Sequence, residues 1–202
     1  MIGLVAPQPV GLPGFLAMAT GLAAFFLSLS FARRSMGGSG GGEARAKRSA
    51  LSVLGILIQM IGFTVVGMGP LRVELPPDSP LAIGEGAAVL ALVGFTLAVF
   101  LASTRAMGRN WSLVARTRED HELVTWGPFA WVRHPIYAGL FAFMLALSLA
   151  FGHWRGLIVG VPLYWLGTGL RVVEEERLLR AQFGPAYDAY AARVKRFVPG
   201  LV

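Results

Sequence analysis

Residues 133–176 read RHPIYAGLFAFMLALSLAFGHWRGLIVGVPLYWLGTGLRVVEEE. Two apolar runs, 136–151 and 157–170, are parted only by Gly152-His153-Trp154-Arg155-Gly156. Charge closes both outer ends, with Arg133 and His134 before the first run and Arg171, Glu174, Glu175 and Glu176 after the second. This is the pattern of a helical hairpin in an apolar phase whose two ends return to one polar boundary. Each run is short against the roughly 20 residues of a full span, so the hairpin crosses with little tilt or stops short of crossing. Ionisable groups at such a boundary are costly and tend to mark a working site.

Outward from the hairpin, the composition sets the phase. The chain has 202 residues, of which 55% are hydrophobic and 14% charged, with a mean hydropathy of +0.62. Soluble domains carry about 25% charged residues, so an integral membrane protein is expected. Three further apolar runs, 11–31, 51–69 and 81–102, read as spans. The expected fold is all-α: a membrane bundle of about five transmembrane helices, the last two a short hairpin, followed by a cytoplasmic carboxyl-terminal helix. Two parts are expected, residues 1–103 with three membrane helices and a basic, Gly-rich cytoplasmic loop at 34–49, and residues 104–202 carrying the site. Arg33 and Arg34 follow the first apolar run instead of preceding it, which argues against a cleavable signal peptide.

Charge orients the spans. All of the 18 Lys and Arg residues except Arg72 and Arg155 fall on one side of a five-span arrangement. The positive-inside rule then puts the amino terminus outside and the carboxyl terminus in the cytoplasm, as for a cell inner membrane. The net charge of +7 is thereby a matter of topology and membrane lipids, and nucleic acid is not an expected partner. The chain has no cysteine, which excludes disulfides and thiolate chemistry. No metal-ligand set is assigned.

The first three spans offer little chemistry. The Gly-x-Gly pattern between Gly37 and Gly42 joins two membrane helices and lacks the strand before and helix after that a dinucleotide site requires, so it reads as a flexible linker. Glu85 reads as interfacial and solvated. Gly55, Gly62 and Gly67 permit close helix packing, within one chain or between two; the oligomeric state is left open.

The segment after Arg105 is polar up to Gly127-Pro128, a turn signal. Pro135 biases His134 away from helical geometry and starts the fourth span, so His134 sits at a helix amino terminus where free N–H groups favour an anionic ligand. Arg133 and His134 have two readings: an interfacial anchor, or the lining of a polar pocket between helices. Arg171 shares a helix face with Glu174 and Glu175 just where the last span leaves the membrane, which favours the shared pocket. Tyr187 and Tyr190 read as residues packed toward the membrane face.

His121-Glu122-Leu123-Val124, Gly127-Pro128-Phe129, Arg133-His134-Pro135-Ile136-Tyr137-Ala138-Gly139, Glu174-Glu175-Glu176, Leu179, Phe183-Gly184, Tyr187 and Tyr190, in this order, resemble the isoprenylcysteine carboxyl methyltransferase family. That family lies within a wider group that includes phospholipid N-methyltransferases. The resemblance implies that residues 104–202 form a methyltransferase core using S-adenosylmethionine, with a lipophilic or lipid-modified acceptor entering from the bilayer. It also implies a cofactor site of His121, Leu123, Val124, Phe129, His134, Pro135, Ile136, Tyr137 and Glu175, with Arg171 facing the acceptor carboxylate and Arg171 and Glu175 as the catalytic pair. Phe129 stands where the family often has tyrosine. The alternatives are phospholipid N-methylation with Glu175 as base, a membrane sterol or enone reductase using NADPH, and a membrane scaffold without enzymatic activity.

Overall fold

A computed structural model describes residues 7–36, 49–108 and 122–200. The Gly-rich stretch 37–48 and His121 lie outside the described residues. Among the described residues are six α-helices: α1 (Leu12–Met36), α2 (Ala50–Gly67), α3 (Pro80–Met107), α4 (Pro135–Phe151), α5 (Leu157–Phe183) and α6 (Pro185–Arg193). Two short strands, β1 (Val10–Gly11) and β2 (Val73–Leu75), pair in parallel ahead of α1 and α3.

Local chemistry sets the helix ends. Ser49 and Ser79 cap α2 and α3, each side chain accepting the N–H three residues on, and Pro80 and Pro135 occupy first-turn positions where no donor is lost. Gly152 ends α4 in the left-handed region at a φ of 69°. α1, α2, α3 and the segment through α5 are long and apolar enough to cross a membrane, and α4 is a shorter apolar helix. Their outer faces carry Phe26, Leu27, Phe31, Leu57, Met60, Leu90, Phe95, Ile158 and Leu166 in exposed positions. A ring of large apolar side chains on every long helix has no place in water, and the chain is a multi-pass membrane protein of the expected all-α class.

The hairpin differs from its sequence reading at one end. The apolar run stops at Leu170, yet α5 continues unbroken for 27 residues through Arg171 and the glutamates to Phe183. Nothing between Leu170 and Phe183 breaks a helix, and the first interruption is Gly184, at a φ of 49°, followed by Pro185. The charges near the membrane boundary therefore lie on a rigid rod and not on a new element.

α2 runs along α5, and α1 and α4 pack on α3. The glycines of α2 meet glycines of α5 within the chain. A Cβ on Gly167 would come 2.5 Å from the carbonyl oxygen of Gly55, and one on Gly62 would come 3.0 Å from that of Gly160. Only glycine permits this approach, which brings the polar face of α5 against α2. Thr96 of α3 donates to the Gly139 carbonyl of α4 at 2.9 Å, and Met18, Val89, Val93, Phe143 and Ala146 fill the core between α1, α3 and α4. Glu85, expected to be solvated, instead accepts the Gly11 N–H at 3.1 Å beside the amino end of α1, where a carboxylate opposes the positive helix terminus.

Candidate active site

The site begins where the carboxyl-terminal tail folds back. The N–H groups of Arg133 and His134 donate to the carbonyls of Lys195 (2.7 Å) and Arg196 (2.9 Å), and the His134 ring lies 6.0 Å from that of Phe197. The sequence reading expected free N–H groups at this helix amino terminus to favour an anionic ligand. The tail takes the amides of Arg133 and His134, the residues just before the first turn of α4.

Glu176, 4% exposed, is the hub that the sequence did not single out. It accepts from Arg133 Nε and Nη2 at 3.2 and 3.0 Å, from Arg196 through two donors at 2.9 and 2.8 Å, and lies 3.2 Å from His134 Nε2. Arg133 also donates to the Ala191 and Val194 carbonyls. One carboxylate thus ties the α4 turn, α5 and the tail together. Three adjacent glutamates face three directions on a helix: Glu174 pairs with Arg177 at 2.8 Å, Glu175 faces the cavity, and Glu176 turns to the tail.

His134, also buried, presents Nδ1 to Glu175 at 3.5 Å and Nε2 to Glu176 at 3.2 Å. Both ring nitrogens face acceptors, a demand that only imidazolium meets. Burial opposes its charge, but the hydrogen bonds and charges of Glu175 and Glu176 outweigh that cost and raise the imidazole above its ordinary value near 6.5. A group with a raised native pKa stabilises fully below its unfolded value and loses that contribution as pH rises through the native value. The wild-type protein is therefore expected to lose thermal stability as pH climbs above about 6.5. A melting series across pH in which His134→Asn keeps the same slope would contradict this.

Tyr137 donates to Glu175 at 2.5 Å, and its ring lies 5.0 Å beneath the Arg171 guanidinium. Arg171, 9% exposed, donates from Nη1 to Gln59 of α2 at 3.0 Å and sits 3.9 Å from Glu175. Three helices hold this one cation. Gln59 is a second residue that the sequence reading passed over; its signal was a carboxamide inside the apolar run 51–69.

These groups border a cavity of about 610 Å³. Leu123, Val124, Phe129, His134, Pro135, Ile136, Tyr137, Arg171 and Glu175 all line it, so every expected site residue except His121 stands on one wall system. Tyr187 and Tyr190 line it too. They are 1% and 5% exposed, which corrects the expectation that they pack toward the membrane face. The Tyr190 hydroxyl donates to the Phe129 carbonyl at 2.7 Å. The rest of the cavity is apolar, walled by Leu22, Phe25 and Phe26 of α1, Ile56, Met60 and Phe63 of α2, and Leu140, Phe143 and Leu147 of α4. Leu22, Phe26 and Met60 are also exposed, so the cavity reaches the outer surface beside α1 and α2.

The charged end of the cavity, with His134, Tyr137, Arg171 and Glu175, lies in a segment that resembles known proteins. Residues 88–181 match the isoprenylcysteine carboxyl methyltransferase family. The match covers 94 of the chain's 202 residues. Among its relatives are the protein-S-isoprenylcysteine O-methyltransferases of Schizosaccharomyces pombe, 31% identical over 43% of this chain, and of Saccharomyces cerevisiae, 29% identical over 46%. The protein-S-isoprenylcysteine O-methyltransferase B of Arabidopsis thaliana is 31% identical over 46%. The chain spans 37%, 39% and 48% of the lengths of these three relatives. The family segment contains α4, most of α5 and the rim residues up to Glu176; α1, α2, α6 and the tail complete the cavity from outside it.

Proposed function

We propose that the protein is a membrane methyltransferase that uses S-adenosylmethionine to esterify the carboxylate of a lipophilic acceptor of the isoprenylcysteine type. The observation that carries this reading is the Arg171 guanidinium at the junction of an apolar cavity arm with the polar rim formed by His134, Tyr137 and Glu175. An amphipathic acid fits that junction, its chain in the arm and its carboxylate on the cation. The relatives' names point to the same acceptor class.

The rim has groups suited to the cofactor. Leu123, Val124, Phe129 and Ile136 offer apolar walls for an adenine, and Glu122 and Glu175 offer carboxylates for hydroxyl and ammonium groups. Tyr187, on the same wall, has a buried hydroxyl without a hydrogen-bond partner among the described residues. Burial pushes that phenol up to about 12, so it stays a donor in want of a ligand oxygen or nitrogen. When bound, S-adenosylmethionine supplies a sulfonium-borne, electrophilic methyl group. The acceptor is already an anion and needs no base. Arg171 binds and orients it, Glu175 steadies Tyr137 and Arg171, and the apolar walls exclude water.

In this reading the amino terminus lies outside and the rim, tail and cofactor site face the cytoplasm, in accord with the distribution of Arg and Lys. Titration calorimetry on purified protein tests the cofactor: S-adenosylmethionine is expected to bind and NADPH is not. Binding of NADPH alone would overturn the reading in favour of reductase chemistry.

A further inference from the structure

The chain has four tyrosines, and three of their hydroxyls donate within the protein: Tyr137 to Glu175, Tyr164 to the Tyr137 carbonyl and Tyr190 to the Phe129 carbonyl. Tyr187 of α6 differs. It is 1% exposed on the cavity wall, and its hydroxyl has no hydrogen-bond partner among the described residues. Its ring is held on two sides. The Arg180 guanidinium, itself fixed by Asp188 at 2.8 Å, lies 5.3 Å from the ring centroid, and the Tyr190 ring stands edge-on at 6.2 Å. A phenylalanine would fill the same space without leaving a polar group dry, so the packing of α6 does not account for the hydroxyl. An acceptor atom on a ligand in the cavity does.

We propose that Tyr187 is a cofactor-binding residue whose hydroxyl donates to the adenosine end of S-adenosylmethionine, an inference that rests on the methyltransferase reading of the site. The neighbours give the placement. The sulfonium has to meet a carboxylate held by Arg171, which leaves the adenosine for the apolar wall of Leu123, Val124 and Phe129. Tyr187 stands with that wall, in ring contact with Tyr190, whose hydroxyl is bonded to Phe129. A ribose oxygen and an adenine ring nitrogen offer a phenol the same acceptor chemistry. Methyl transfer leaves that part of the cofactor unchanged, so the methyl donor and its demethylated product gain equally from the contact. α6 lies beyond residues 88–181, so the bond brings into the cofactor site an element outside the family match.

The test uses wild type, Tyr187→Phe, Tyr190→Phe and Arg180→Gln, each purified in lipid. Calorimetry gives affinities for S-adenosylmethionine, S-adenosylhomocysteine and methylthioadenosine, which lacks the amino-acid end, and a melting curve is taken without ligand. Tyr187→Phe is expected to weaken all three ligands by about tenfold, the scale of one hydrogen bond, and to melt at or above the wild-type temperature because it removes an unsatisfied buried group. Tyr190→Phe breaks a bond internal to the protein and should melt lower. Arg180→Gln, at a side chain outside the cavity lining, loosens the Tyr187 ring and should lose part of the affinity, which keeps the test open if Tyr187→Phe does not fold. Analogues of S-adenosylhomocysteine lacking one ribose hydroxyl or one ring nitrogen tell the two sources apart: the analogue without the bonded atom should bind wild type and Tyr187→Phe alike. Wild-type affinities in Tyr187→Phe would overturn the proposal. So would a ligand-free melting temperature lowered as far as that of Tyr190→Phe, since that marks a structural bond. A loss for the two larger ligands with methylthioadenosine unaffected would overturn the adenosine placement. A wild-type protein that binds none of the three would instead overturn the cofactor reading of the site.

Discussion

Replacing Arg171 with alanine is expected to lower kcat/KM for a carboxylate acceptor by roughly 10²- to 10³-fold, the scale of removing one partner from a desolvated charge pair. S-adenosylmethionine affinity should change little, because the contacts proposed for the cofactor come from the turn at Phe129 to Tyr137 and from Glu175. Arg171→Lys is expected to recover only part of the loss. An ammonium supplies the charge but not the planar fork that holds both carboxylate oxygens, and it cannot reach Gln59 and a ligand along two edges. Kinetics with acceptor and donor varied separately divide the effects. Equal losses on both sides would point to damage of the whole rim instead of the acceptor contact.

The second large effect is on the fold of the rim. Glu176→Ala is expected to destabilise the protein by about 3–5 kcal/mol, the cost of stripping the partner from buried charge. The substitution leaves Arg133 and His134 without their shared carboxylate and frees the two-donor clamp of Arg196. With the tail no longer held, His134 loses its fixed orientation toward Glu175, so cofactor affinity should fall along with the melting temperature. Glu176→Gln keeps the shape and one acceptor oxygen, and is expected to lie between the two. A melting temperature for Glu176→Ala equal to wild type would remove Glu176 from its place as the hub.

Much of this was legible in the residues. Spans 11–31, 51–69, 81–102 and 136–151 fall within a few positions of α1 to α4, because length and apolarity are what the membrane selects. The Arg133 to Tyr137 motif and the Arg171 to Glu176 stretch stood out as one candidate rim, and the motif, Arg171 and Glu175 line one cavity. Three things were hidden, each for a physical reason. The fifth span and the amphipathic helix expected after it, from Arg171 through Phe183, are one unbroken helix, because hydropathy changes at Arg171 whereas the backbone meets no breaker before Gly184-Pro185. The glutamate run concealed three different jobs, since adjacent positions on a helix point about 100° apart and only tertiary structure says where. Gln59 seemed inert because its partners Thr168 and Arg171 lie more than a hundred residues away, across a helix contact that only Gly55 and Gly167 make close enough. The tyrosines were misplaced for a similar reason: tyrosine suits a membrane interface and a wet cavity rim equally well, and Tyr187 and Tyr190 take the second.

Methyl transfer to a lipophilic carboxylate is the proposed reaction, and it can be read directly. The direct measurement incubates purified protein in lipid vesicles with S-adenosylmethionine labelled on its methyl group and a prenylated cysteine bearing a free carboxylate. Label is expected in a lipid-soluble product that releases volatile methanol in base, as an ester must. Label in a base-stable N-methylated phospholipid, or no transferred label from a protein that binds both ligands, would contradict it.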